Sequence, residues 1–331
     1  MKTSDLSLNL LLLLLVPAIG LMGLLLGKTD IGLMDVWRGL SSEGDNGLAI
    51  IVYELRLPRV LLAIITGAAL GLSGAALQGL LKNPLAEPGV IGVSSSAALG
   101  AVVAIYFGVA NASNLVVPLF AMAGALMATL VLYLVAMRDA SVLTLILVGV
   151  AVNALAGALT SLALNLSPNP FAMADIMLWL LGSLQNRSMN EVYMSLPFVI
   201  LGGGLLFYHG RSLVALSLGD DVAQTMGVSV QSLRAGIILG ASLAVGASVA
   251  AVGAVGFVGL VVPHILRPLV GYDPKRLLLP SATGGAVLVL AADLAARLMS
   301  GGQELRLGVV TALIGAPFFL YLVIATRKNM R

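Results

Sequence analysis

Cysteine is absent from this chain, which excludes disulfides and thiolate metal sites. Its two histidines leave almost no material for an imidazole metal site. Charge is scarce as well: 10% of residues are Asp, Glu, Lys or Arg, against about 25% in a soluble domain. A chain this poor in charge and 59% hydrophobic is an integral membrane protein, so its length does not count domains. The net charge of +3 is modest, and no nucleic-acid partner is expected.

Long uncharged runs are what the chain has instead. A span needs about 20 apolar residues. Runs at 6–27, 60–81, 88–137, 140–174, 192–208, 235–252, 277–296 and 307–326 supply candidates. The polar break NASN at 111–114 divides the third run into two spans. A shorter helix is expected around 173–182, and a short or broken span over 257–270, interrupted by Pro263 and Pro268. The reading is ten transmembrane helices in one all-α domain, 1–331. The first run is too long for a signal-peptide core and is followed by no small-x-small cleavage pattern, so it reads as a retained span. With both termini inside, eleven of the 18 Lys and Arg fall on the inner side and seven outside, which favours that orientation. Glycines 67, 71 and 74 are spaced to let a neighbouring backbone approach closely.

Two strings imitate catalytic motifs. GLSG at 71–74 resembles an intramembrane protease nucleophile, but Ser73 lies far from both histidines, which fall at inner helix ends. GLLLGKT at 23–29 has one residue too few between its glycines for a phosphate loop, so nucleotide hydrolysis is not expected here. The intramembrane acids are few: Asp175, and Asp293, which stands four residues before Arg297 on one helix face. They form no chain that would relay protons across the bilayer. Arg56, Arg59 and Arg297 fall at outer edges, either snorkelling to lipid headgroups or forming a basic docking surface for an acidic partner.

One polar stretch interrupts the greasy pattern. SLGDDVAQTMGVSV, 217–230, carries Leu218, Val222 and Met226 at every fourth position, with two acids where a helix N-terminus favours them. So short a helix is marginal alone and needs a surface to hold it.

LRLPRVLLAIITGAALGLSGAALQGLLKNPLAEPGVIGVSSSAALGA (55–101), WLLGSL (179–184), LGDDVAQTMGV (218–228), GFVGLVVPHILR (256–267), LLLPSATGGAVLVLAADLAAR (277–297) and ELRLGVVTALIGAPFFLYL (304–322) together resemble the FecCD family of ABC-importer permeases. That family imports vitamin B12, ferric siderophores and haem. The resemblance implies a type II importer permease fold, a homodimer in the bacterial inner membrane, and termini in the cytoplasm. Two cytoplasmic ATPase subunits would bind the ATP and magnesium, and a periplasmic binding protein would deliver substrate. No cofactor is expected in the chain itself.

By the same resemblance, 211–234 is a coupling segment resting on the ATPase, with Leu218, Gly219, Asp220, Asp221, Ala223 and Gly227 as its contact residues. Arg56, Arg59 and Arg297 match binding-protein docking positions. Asn83 and Leu85 match a cytoplasmic gate, and Val142 and Leu143 fall on its second layer, where the B12 permease has small hydroxyl residues. Arg306 stands where many relatives have proline. An iron chelate is the expected cargo, ferric siderophore ahead of haem, with cobalamin as the alternative. An ion-coupled secondary transporter is the reading from another class.

Overall fold

The computed structural model describes residues 3–27, 29, 31–41, 46–138, 141–299 and 305–327, and the described residues form helices and turns with no strand. In order these are α1 (Thr3–Leu25), α2 (Leu33–Ser41), α3 (Asn46–Ala49), a π-helical segment (Ile50–Arg56), α4 (Leu57–Leu80), a 3-10 turn (Pro88–Ile91), α5 (Val93–Tyr106) and α6 (Val116–Ala136). Then come α7 (Val142–Asn165), α8 (Pro170–Leu180), α9 (Met189–Tyr208), α10 (Gly210–Ser217), α11 (Asp220–Thr225), α12 (Val230–Val252), α13 (Val258–Leu266), α14 (Pro274–Leu298) and α15 (Leu307–Arg327).

The ten expected spans fall on α1, α4, α5, α6, α7, α9, α12, α13, α14 and α15. Among the described residues, seven helices are long and apolar enough to cross a membrane on their own. α5 is shorter, and α13 is a nine-residue helix that runs through Pro263 and is followed by a 3-10 turn, Pro268–Val270, so this span is short and ends at Pro268, with no interruption at Pro263. Local chemistry sets several starts. Ser141 caps α7, Asn169 caps α8 and Ser229 caps α12, each accepting from a backbone N–H of the first turn. Ser188 and Glu191 form a reciprocal capping box at α9.

α4, α12 and α14 form the buried centre, and α1, α6 and α7 lie outside it. Close approach at the centre depends on missing side chains, as the glycine spacing predicts. A methyl on Gly67 would sit 2.3 Å from the Gly285 carbonyl oxygen, and one on Gly71 would sit 2.0 Å from that of Ser281. Gly74 meets α13 the same way, 1.9 Å from the Gly259 oxygen. Lipid supplies little hydrophobic drive between helices, so backbone contact of this kind holds the centre together.

The second span is longer than its uncharged run. Helical backbone is continuous from Gly47 to Leu80, 34 residues, or about 51 Å at 1.5 Å per residue. That exceeds a hydrocarbon core of about 30 Å. Glu54, Arg56 and Arg59 end the uncharged run without ending the helix, because this part projects beyond the hydrocarbon.

Candidate coupling and gating site

The polar stretch at 217–230 folds as α11 between two glycines, and the backbone explains both. Gly219 has φ +126 and Gly227 φ +82, conformations that a side chain makes costly. They set α11 off from α10 and α12 as a separate short helix. Ala223 is buried against the chain, while Leu218, Val222 and Met226 are exposed in one apolar stripe. Asp221 is exposed in the first turn. The arrangement holds one face on the permease and leaves the other open to a partner.

Asp220 faces the other way. Its two carboxylate oxygens accept from Lys82 Nζ at 2.8 Å and from Arg234 Nη2 at 2.7 Å. Lys82 follows α4 in a left-handed conformation (φ +50), and Arg234 lies in the first turns of α12. Lys82 is the main influence holding the Asp220 carboxyl below its usual range; burial opposes this and Arg234 adds to it. One carboxylate therefore joins the insert to the end of α4 and to the start of α12.

Lys82 immediately precedes the candidate gate residues. Asn83 Oδ1 accepts from Leu85 N at 2.9 Å, and Asn83 O accepts from Ala86 N at 3.2 Å, so Asn83 folds the turn that presents half-buried Leu85. The same loop packs on α7. A methyl on Gly149 would sit 2.8 Å from Ile91 Cα, and Gly92 turns there with φ +77. Val142 and Leu143 open α7, half-buried and exposed respectively. Ser141, just before them, caps the helix through Thr144 N, and its hydroxyl lies 3.0 Å from that of Thr144. Glu87, in the gate loop, accepts from the Phe257 backbone N–H; burial pushes its carboxyl up and that hydrogen bond partly offsets the push.

The three arginines read as docking positions each make contacts within the chain itself. Arg56 is 7% exposed and donates to Leu24 O at 2.6 Å, to Leu25 O at 2.7 Å and to Thr29 O, satisfying the last carbonyls of α1. Arg59 Nη2 lies 2.8 Å from Asp293 Oδ1, and Arg297 Nη2 lies 2.5 Å from Asp293 Oδ2. The Arg59, Asp293 and Arg297 side chains are 14%, 5% and 9% exposed. The pairing of Asp293 with Arg297 was legible from their spacing; the insertion of Arg59 between α4 and α14 was not. Ser73 is buried, and among the described residues its hydroxyl has no hydrogen-bond partner.

Comparison with known proteins fixes the class. The FecCD transport family model matches residues 12–325. The vitamin B12 import permease BtuC of Vibrio cholerae is 40% identical over 92% of this chain and 90% of its own length. The Fe(3+) dicitrate transport permease FecD of Escherichia coli is 38% identical over 93% of this chain and 97% of its own. An uncharacterized ABC transporter permease of Bacillus subtilis, YvrB, is 40% identical over 94% and 91%. A solved structure of a metal-chelate type ABC transporter in an inward-facing conformation superposes with a TM-score of 0.86 at 31% identity, covering 96% of this chain and 99% of that one.

The fold and these matches define a multi-pass permease of an ABC importer. The chain belongs to the FecCD transport family, whose members include importers of iron chelates, haem and vitamin B12. Members are transport subunits rather than enzymes, and ABC importer permeases work with ATPase subunits and a binding protein, generally as dimers.

Proposed function

We propose that this permease translocates an anionic iron chelate across the bacterial inner membrane, a ferric siderophore ahead of haem, as a homodimer with both termini in the cytoplasm. The observation that carries the choice of cargo is a pair of like charges beside the start of α15. Arg187 and Arg306 lie within Coulombic range of each other. Burial pushes the Arg187 guanidinium pKa down, Glu191 opposes that, and Arg306 adds to it. Glu191 offsets one of the two charges, so the cluster keeps a net positive charge that favours an anionic chelate passing this point. Cobalamin, a far less anionic macrocycle, gains less from the pair.

In this reading ATP binds to the partner ATPases, which close against the α11 stripe. Leu218, Gly219, Asp220, Asp221, Ala223 and Gly227 pass that movement through Lys82 to the gate at Asn83 and Leu85, and through Gly92 and Gly149 to Val142 and Leu143. α7 supports a pathway between two copies: it is largely exposed, and it carries exposed Asn153 midway along a span. An amide facing hydrocarbon is costly, whereas a second copy or a watery pathway satisfies it. Arg59 and Arg297, with Asp293 between them, form the rim on which the binding protein docks.

The deciding experiment is uptake of labelled ferric siderophore, haem and cobalamin by vesicles holding the full assembly. Ferric siderophore should move fastest, and Arg306→Ala should slow it severalfold. Uptake of cobalamin alone would overturn the choice of cargo. Uptake that persists without the ATPases would instead place the chain among ion-coupled carriers.

A further inference from the structure

α2 presents three consecutive faces on a wheel of about 100° per residue. Val36 and Gly39 are buried, Asp35 and Arg38 make a polar face, and Leu33, Met34, Trp37 and Leu40 form an exposed apolar face between them. The buried face is fixed tightly: a methyl on Gly39 would sit 2.9 Å from Val52 Cβ, on the π-helical segment. Ile31, Val36 and Val52 form a small core of their own, and Leu24 and Leu25 from the last turn of α1 pack against it. That contact sets the depth. α2 sits level with the end of a transmembrane helix, at the height of the bilayer interface, on the face opposite the α11 insert.

We propose that α2 is an interfacial helix whose exposed face lies in the outer leaflet, seated on lipid rather than on a protein partner. A helix with one charged face and Trp and Leu on the other settles in the headgroup and acyl boundary. Trp and Tyr are enriched at that level, and α2 is not alone there. Exposed Tyr53 on the π-helical segment and exposed Tyr193 at the start of α9 lie beside each other. The apolar face also continues the surface of α1, where Leu21 and Met22 are exposed on a peripheral span. Arg38, on the polar side, lies where headgroup phosphates would meet it. The consequence is mechanical: the part of the 34-residue helix that projects beyond the hydrocarbon is braced against the membrane surface through Val52 and Gly39.

The chain has two tryptophans, so Trp179→Phe leaves Trp37 as the single reporter. The full assembly carrying that change, and the same assembly carrying Trp37→Phe as well, are reconstituted in phosphatidylcholine vesicles with a doxyl group at a shallow or a deep acyl position, and their difference is the Trp37 signal. Trp37 fluorescence should be quenched severalfold more by the shallow label than by the deep one or by aqueous iodide. Adding the binding protein should leave this pattern unchanged. Quenching by iodide alone would put the face in water. Quenching by neither, or loss of lipid quenching when the binding protein is added, would put a protein partner there. Either result overturns the proposal. If Trp179→Phe fails to fold, the difference between the parent and Trp37→Phe in the same vesicles isolates the same signal.

Discussion

Replacing Asp220 with Asn tests whether the insert drives the gate through one carboxylate. The substitution keeps the size and one acceptor but removes the charge shared by Lys82 at 2.8 Å and Arg234 at 2.7 Å. The Lys82 and Asp220 side chains are 40% and 38% exposed, so their pair is worth at most about 1 kcal/mol. Arg234 is 7% exposed. Stripping the partner from a fully buried charge costs about 3–5 kcal/mol, but here the acid is open to water, and screening reduces the loss to about 1–2 kcal/mol. The protein should therefore still fold, with a slightly lower melting temperature. What it should lose is transmission. In vesicles with the ATPases and binding protein, ATP hydrolysis should persist while cargo moved per ATP falls severalfold. Lys82→Met should give the same loss of transport with almost no change in stability. The double variant should be no worse than Asp220→Asn, because both act on one contact. The Asp220 pKa is depressed in the folded state, so its contribution is present above the unfolded value of 3.8 and is lost as pH falls through the lower folded value. Between pH 5 and 8, on the order of physiological range, this contact should leave the coupling ratio flat. Normal cargo per ATP in both single variants would refute the reasoning.

Three further outcomes follow from the packing. Gly71→Ala places a methyl 2.0 Å from the Ser281 oxygen, so α4 and α14 must separate, at about 1–3 kcal/mol; thermal unfolding in detergent reads this directly, and an unchanged midpoint would mean that the helices are not in backbone contact. Gly219→Ala and Gly227→Ala force left-handed backbone on alanine, at about 1–2 kcal/mol each, and should uncouple hydrolysis from transport, whereas Gly204→Ala on α9, which meets nothing within 4 Å, should change neither. Arg56→Ala leaves the Leu24 and Leu25 carbonyls without their charged donor and should lower stability by about 1–3 kcal/mol, with binding-protein affinity unchanged in the fraction that remains folded; an affinity loss without a stability loss would restore Arg56 to the docking surface.

The spans were legible because lipid imposes one rule on all of them, that about 20 residues avoid charge. The rule loses its hold beyond the hydrocarbon, which is why the helix through Glu54, Arg56 and Arg59 was missed until the backbone showed it. The exposed stripe of Leu218, Val222 and Met226 was legible as a four-residue period, and so was the Asp293–Arg297 pair. The need for glycine at 219 and 227 was visible only in the backbone angles. Lys82 lies 138 residues from Asp220, and no local pattern couples them. Matching by position placed the second gate layer at Val142 and Leu143, where apolar side chains stand in place of the small hydroxyl residues of the B12 permease, and no local pattern says what these two do.

α4 ends in a charge network at each side, and their difference in burial says which end moves. At the outer end, Asp293 is held between Arg59 and Arg297 with all three side chains at most 14% exposed, so removing any member leaves a charge with little water to replace it. At the inner end, Lys82 and Asp220 are both open to water, so their pair breaks and re-forms at little cost. The inner end also has room. A cavity of about 200 Å³, lined by Gln78, Lys82, Ser217, Arg267 and Tyr272, lies beside the last turn of α4. Between the two ends, the Gly67 and Gly71 contacts lock α4 to α14 as one body. On the proposed coupling, a load applied at α11 would leave that rim in place and move the loop after Leu80 against a fixed core. Spin labels on α11 and on the 82–92 loop should change separation between nucleotide-free and ATP-bound assemblies, while a pair placed beside Arg59 and Arg297 should not. Equal movement at both ends would mean that α4 tilts as a rigid rod, and the inner carboxylate would then be a passenger rather than the joint.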